Sequence, residues 1–271
     1  MKISYNWLKE YVKTDLSAEE AAKILTNTGL EVEGMEAFHS IEGGLEGLVV
    51  GKVLSCKKHP NADKLSLATV DIVTGRELPI VCGAPNVAEG QKVVVAPVGT
   101  RLQMDDKEFE IKKAKIRGET SEGMICAEDE VGMGDSHEGI IVLNEDAPVG
   151  KPLKDYFHVE HDTVLEFDLT PNRIDGASHI GAARDLAAVL NLQQSTHLNI
   201  PPVEDFKKDR DGLSIEVEIA DVENCPRYSG LTISGVRTGP SPGWLQNRLK
   251  AIGLNPINNL VDISNFVLME T

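Results

Sequence analysis

Between residues 46 and 145 the chain is cut into short apolar runs, at 48–56, 65–73, 78–81, 92–97 and 140–143, separated by Gly, Pro, Asn and Asp. Runs this short, with turn formers between them, read as strands rather than helices. Several such strands at this spacing predict a small closed sheet, and a five-stranded Greek-key barrel fits them best. The sequence before them has another texture. Ser4 is placed to cap a short helix carrying Trp7, Leu8 and Tyr11 inward. The tetrapeptide SAEE at 17–20 is a capping box; it opens a helix with Ala21, Ile24 and Leu25 on one face and a stop at Gly29. Leu30, Val32 and Met35 suggest a strand, and Gly43-Gly44 marks a boundary.

Beyond the barrel, PVGKP at 148–152 reads as a hinge. A strand is expected at 164–169, then a helix at 175–191 with Ile180, Ala183, Ala187 and Leu190 on one face. Residues 199–211 form a charged linker, followed by strands at 213–219 and 228–236. Ser241-Pro242 starts a helix that carries Trp244, Leu245, Leu249 and Ile252 and ends at Gly253. An apolar helical pattern from 256 is still running at Thr271, which predicts a piece of a longer protein.

The formal charge of −16 argues against a general nucleic-acid coat or an anionic membrane surface, but leaves room for a local basic face. No apolar run approaches the ~18 residues of a membrane span, and the start, MKISYNWL, lacks a secretory core, so a cytoplasmic protein is expected. Cys56, Cys82, Cys126 and Cys225 lack the spacing of a zinc or redox site. They read as small buried hydrophobes in a reducing compartment, and no metal site is expected.

Two segments concentrate positive charge. GKVLSCKKHPNADK at 51–64 sets Lys52, Lys57, Lys58 and Lys64 against Asp63, an excess of three. Lys107, Lys112, Lys113, Lys115 and Arg117 oppose Glu108 and Glu110, again an excess of three. On a barrel, two such strands can form one face for phosphates, although lysines alternating outward on strands need no ligand. Phe109 is the only aromatic between 40 and 150. Single-strand binders stack successive bases on aromatic side chains, so this barrel is expected to prefer folded RNA, gripping phosphates and 2′-hydroxyls and reading no bases. His59-Pro60-Asn61-Ala62-Asp63 has too few ligands for a metal or catalytic site and reads as a turn, with Asn61 or Asp63 bonding backbone.

Taken in order, GKVLSCKKHPNADK, VCGAPN at 81–86 and IKKAKIRGETSEGM at 111–124 resemble the oligonucleotide-binding (OB) barrel that docks on folded tRNA. FDLTPNR at 167–173, GAARDLA at 181–187, CPRYSG at 225–230 and NPINNLVDISNFVLM at 255–269 resemble segments of the β subunit of bacterial phenylalanyl-tRNA synthetase, as does the N-terminal MKISYNWL. The resemblance covers essentially the whole chain. It implies an α+β multidomain fold: a small α+β domain from 1–39 and 152–195, a five-stranded OB-fold barrel at 40–151 inserted in it, and the beginning of an α/β editing domain at 205–271. In the family the complete α2β2 assembly uses ATP and Mg2+ to attach phenylalanine to tRNA(Phe), with activation on the alpha subunit. No catalytic residue for ligation and no cofactor site is therefore expected in this chain.

The resemblance offers Lys52, Lys57, Lys58, His59, Asn61, Lys64, Lys112, Lys113, Lys115, Arg117 and Ser121 as tRNA contacts. Editing answers a physical difficulty: a pocket for phenylalanine rejects an isostere bearing one extra hydroxyl only ~10²-fold. The family's editing segment has a Thr-Asn pair where this chain has Ser264-Asn265, so both become editing-pocket candidates. Helix capping and backbone bonding remain the plainer reading of Asn258, Asn259, Asp262 and Asn265. The family's Gln-Pro-x-His-Ala-Phe-Asp motif would fall past Thr271, so the fragment alone is expected not to hydrolyse Tyr-tRNA. Two alternatives stand beside this reading: a stand-alone, structure-specific tRNA-binding module without enzymatic activity, and a protein-interaction barrel with an incidental basic face.

Overall fold

The computed structural model describes residues 1–104, 107–192, 195–210 and 212–271, with the side chains of 103, 104, 107 and 108 left out of that description. Lys107 and Glu108, counted in the second basic segment, thus have side chains outside the described set. The chain divides into one compact unit made of Met1–Glu36 and Thr163–Thr271 and a second made of Ala37–Asp162.

In the first unit, Lys2–Ser4 pairs antiparallel with His161–Asp168, setting Ile3 opposite Leu165, and Glu31–His39 lies along the other side of that strand. Three helices cover this sheet: Tyr5–Tyr11, Ala18–Asn27 and His179–Leu190. Each begins at a serine. Ser4 Oγ accepts from Trp7 N, Ser17 and Glu20 form the reciprocal capping box, and Ser178 Oγ accepts from Gly181 N. Loss of such a cap costs about 1 kcal/mol. The third helix starts four residues later than its periodicity suggests, because Ile174–Gly176 is a 3-10 turn and Ser178 is extended.

Trp7 joins these layers. Its indole stacks on His179 (ring centroids 3.8 Å apart) and on Phe266 (4.5 Å). Its Nε1–H donates to the Tyr11 hydroxyl at 2.7 Å, and that hydroxyl donates to Glu270 at 2.6 Å. Burial first, and the Glu270 carboxylate second, push the Tyr11 phenol well above its ordinary range. His179 is fully buried. Its Nε2 accepts from Ser4 N at 3.1 Å, so the proton sits on Nδ1, which donates to Met269 O at 2.7 Å.

Among the described residues, 199–240 contain no helix or strand. The strands expected at 213–219 and 228–236 are absent, and Leu213, Ile215, Leu231 and Ile233 are exposed. Alternation marks a face for burial, but a strand forms only where another strand receives it. The helices Gly243–Ala251 and Asn259–Glu270 follow, the first capped by Pro242 rather than containing it.

The second unit is built on an antiparallel sheet ordered Gly123–Ile125, Lys92–Pro97, Val49–Lys58, Ser66–Asp71, Leu78–Cys82, with Val142–Leu143 also on Lys92–Pro97. Its outer strands nearly meet: Val81 N donates to Ser121 Oγ (3.1 Å) and Glu122 N to Pro79 O (2.8 Å), giving a nearly closed barrel. The run 92–97 is apolar throughout because both faces are covered. Val93 and Val95 enter one cluster with Val53, Val70 and Ile80, while Val94 and Ala96 enter another with Leu48, Leu102 and Leu153. Two further antiparallel pairs form sheets of their own, Arg101–Met104 with Lys107–Glu110 and Ala114–Ile116 with Glu119–Ser121.

The segment expected as a hinge at 148–152 is tied to the barrel. Val50 N donates to Lys151 O, Gly150 N to Val50 O and Leu153 N to Leu48 O, all within 3.0 Å, with Val49 set antiparallel opposite Pro152. The cysteine expectation holds for Cys82 and Cys126, whereas Cys56 and Cys225 are only partly buried; all four are free.

Gly51 makes the barrel's close approach possible. A Cβ there would lie 2.5 Å from Val95 Cγ2 and 2.8 Å from Val70 Cγ1. Gly51→Ala is expected to cost about 1–3 kcal/mol through overpacking, read as a lowered urea midpoint. An unchanged midpoint would mean that the core gives way there.

Candidate nucleic-acid interface

The three segments singled out in the sequence converge on one side of the barrel. The first ends strand Val49–Lys58 and turns at His59. His59 is buried; its Nδ1 accepts from Asn61 N at 3.0 Å, which leaves the proton on Nε2 to donate to Ile116 O at 3.4 Å. One imidazole thus closes the 57–64 turn and ties it to the hairpin carrying Lys115 and Arg117. The turn expected from Asn61 or Asp63 is made by the histidine ring instead. At the tip of that hairpin Arg117 (φ 53) and Gly118 (φ 103) form a two-residue turn with both residues left-handed, the geometry that matches strand twist.

The candidate contacts divide into two groups. Lys57, Lys58, Asn61, Lys64, Lys112, Lys113, Lys115 and Arg117 are exposed. Lys113 is engaged by Glu122 at 2.7 Å, and Arg76 reaches the same carboxylate at 3.0 Å. Lys113 first, then Arg76, hold that carboxyl below its ordinary range. Lys112 lies 3.9 Å from Glu110. Lys57, Lys58, Lys64, Lys115 and Arg117 make no ion pair among the described residues. His59 and Ser121 are buried, and Ser121 Oγ accepts from Val81 N and donates to Gly123 O at 3.0 Å. Both shape the face from beneath rather than present a group to a ligand. Lys52 is exposed but stands at the other end of its strand, about 17 Å from Lys57 at the rise of a β-strand.

A cavity of about 520 Å³ opens beside these residues. The loop Cys82–Pro85 and the segment from Ile111 to Met124 line it, so the second and third motifs meet at its walls. Phe109, 53 % exposed, also lines it, as do Glu130, His137 and Glu138. His137 pairs with Asp129 at 2.9 Å, and that hydrogen bond raises its pKa.

Ser264 and Asn265 lie on the helix Asn259–Glu270. Ser264 is exposed and its Oγ donates to Leu260 O at 3.1 Å; Asn265 is half-buried. The neighbouring polar groups are structural. Asn258 caps the helix through Leu260 N and Val261 N, and Asn259 bonds Arg237 O and Gly239 N. Asp262 is buried, which alone would raise its carboxyl. Ser241 Oγ–H and the N–H groups of Ile257 and Asn258 outweigh burial and hold it below the usual range.

Residues 48–152 match the family model described as "Putative tRNA binding domain", and residues 224–271 match the "B3/4 domain". Over 270 residues the chain is 56% identical to the phenylalanine–tRNA ligase beta subunit of Bacteroides fragilis, an alignment covering 99% of this chain and 33% of that protein. It is 55% identical to the corresponding subunit of Porphyromonas gingivalis (100% and 33%) and 48% to that of Geobacter sulfurreducens (100% and 32%). The chain belongs to the phenylalanine–tRNA ligase beta-subunit family. It spans about a third of the length of these relatives. Within that family sequence, the matched tRNA-binding segment begins in the loop before Val49–Lys58 and ends at Pro152, where the chain is bonded back onto the barrel. No helix among the described residues is long and apolar enough to cross a membrane.

Proposed function

We propose that this chain works as part of a cytoplasmic phenylalanine–tRNA ligase beta subunit and that its barrel grips the backbone of tRNA(Phe). In this reading 1–39 and 152–195 form a small α+β domain, 40–151 is the inserted OB-type tRNA-binding barrel, and 205–271 begins the editing domain that clears mis-acylated Tyr-tRNA. Ser264 and Asn265 then lie on the wall of the editing pocket. Ligation with ATP and Mg2+ belongs to the complete assembly with an alpha subunit, proposed as α2β2, and none of its steps is assigned to a residue of this chain.

The observation that carries the tRNA reading is the junction at His59, which holds Lys57, Lys58 and Lys64 beside Lys115 and Arg117 with no carboxylate partner among the described residues. Unpaired ammonium and guanidinium groups on one face neutralise phosphates and release counterions, and such contacts fix orientation without reading sequence. The test is a titration of the chain with tRNA over 50 to 200 mM salt. The logarithm of the binding constant is expected to fall linearly with the logarithm of salt, with a slope of about −3 to −5 for four or five phosphates. A flat profile would favour a protein-interaction barrel whose lysines are incidental.

A further inference from the structure

The cavity beside the basic face has a composition that phosphate binding does not use. Its walls include Ile111, Ile116, Ile125 and Ile140, and its volume of about 520 Å³ lies in the range of small-ligand sites. Phe109 is the sole aromatic side chain between 40 and 150, and its ring stays exposed at this cavity rather than joining the core. Glu130 lines the cavity with one carboxylate oxygen held by Ala127 N at 2.7 Å, which fixes its orientation, and Glu138 adds a second carboxylate. Lys112 also lines it, at the start of the basic segment. A flat apolar group that donates hydrogen bonds and hangs from a phosphate chain meets all of these features at once.

We infer that the cavity takes one unpaired nucleobase bearing an exocyclic amino group, splayed from a loop of folded RNA whose backbone lies along the lysines. This rests on the tRNA-binding reading above. One exposed ring cannot carry a run of stacked bases, but it suffices for a single base, which is how folded RNAs present unstacked nucleotides to proteins. Carboxylates accept from the amino group of adenine, cytosine or guanine. Uracil would turn a carbonyl oxygen toward them. The same carboxylates repel phosphate, so the backbone stays outside on the lysine side while the base enters.

Three hairpin RNAs with one stem sequence and a single bulged A, a single bulged U or no bulge provide the test, measured by fluorescence anisotropy at fixed salt with the full 271-residue chain. The bulged-A hairpin is expected to bind about 10-fold more tightly than the other two. Phe109→Ala should abolish that difference and leave the salt slope unchanged, whereas Phe109→Tyr should keep it. Equal binding of all three hairpins with the salt slope intact would overturn the base pocket and leave the phosphate grip standing. Failure to bind any hairpin would overturn both.

Discussion

Replacing Lys57, Lys58, Lys64 and Lys115 together with glutamine is expected to weaken binding to folded tRNA about 100-fold near physiological salt and to flatten the salt slope by about 3. These four are chosen because they are exposed and make no ion pair among the described residues, so each replacement shifts the fold's stability by no more than about 0.5 kcal/mol. Lys113 is a poorer probe. Its neutralisation also frees Glu122, which ties Arg76 and Lys113 together where the barrel closes, and so mixes a structural effect with a binding one. Lys52, at the far end of its strand, serves as the control: Lys52→Gln is expected to leave the slope nearly unchanged. Isothermal titration of the quadruple variant over several salt concentrations measures both quantities. An unchanged slope would remove these lysines from the interface.

The second large effect concerns the first unit and acid. Burial, above all, pushes His179 down to about 4 in the folded protein, against the ~6.5 of an exposed histidine in the unfolded chain. Between those values the unfolded chain binds a proton that the folded one does not, so stability falls as pH drops from about 6.5 toward 4. The loss across that window is on the order of 3 kcal/mol. Protonation would also put a donor where Nε2 now accepts from Ser4 N, beside the Arg248 guanidinium that lies over the Trp7, Trp244 and Phe266 rings. Urea midpoints of wild type at pH 7.5 and 5 should therefore differ. His179→Gln should be less stable at pH 7.5 but flatter over the same interval. Equal pH dependence in the two proteins would assign the acid lability to other groups.

Much of the barrel was legible because its strands are apolar runs bounded by turn formers: Lys92–Pro97 was expected with the bounds it has, and Val49–Lys58 within two residues at either end. The strands Arg101–Met104, Lys107–Glu110, Ala114–Ile116 and Glu119–Ser121 are not legible in the sequence, since they are short and carry charged residues among few apolar ones. The Arg117-Gly118 turn was a usable signal for the last pair. The His59 junction could not be read from sequence, because the ring's second partner, Ile116, lies in a hairpin 57 residues away. The same holds for the cavity, whose walls come from three separated segments, and for the burial of Ser121 under the closing edge. At 213–219 and 228–236 the error ran the other way. Their apolar alternation predicts strands, but alternation gives only a face, and among the described residues no strand pairs with either segment.

A competition between folded tRNA and an unstructured oligonucleotide of equal length shows whether the barrel grips folded RNA by its phosphates. Fluorescently labelled tRNA is bound to the chain at fixed salt and displaced by each competitor in turn. With Phe109 the one aromatic ring between residues 40 and 150, and with a cluster of cations that make no ion pair among the described residues, unlabelled tRNA is expected to displace the label at roughly a tenth or less of the oligonucleotide concentration. Displacement by the unstructured strand at equal or lower concentration would mean that the barrel does not select the shape of folded RNA.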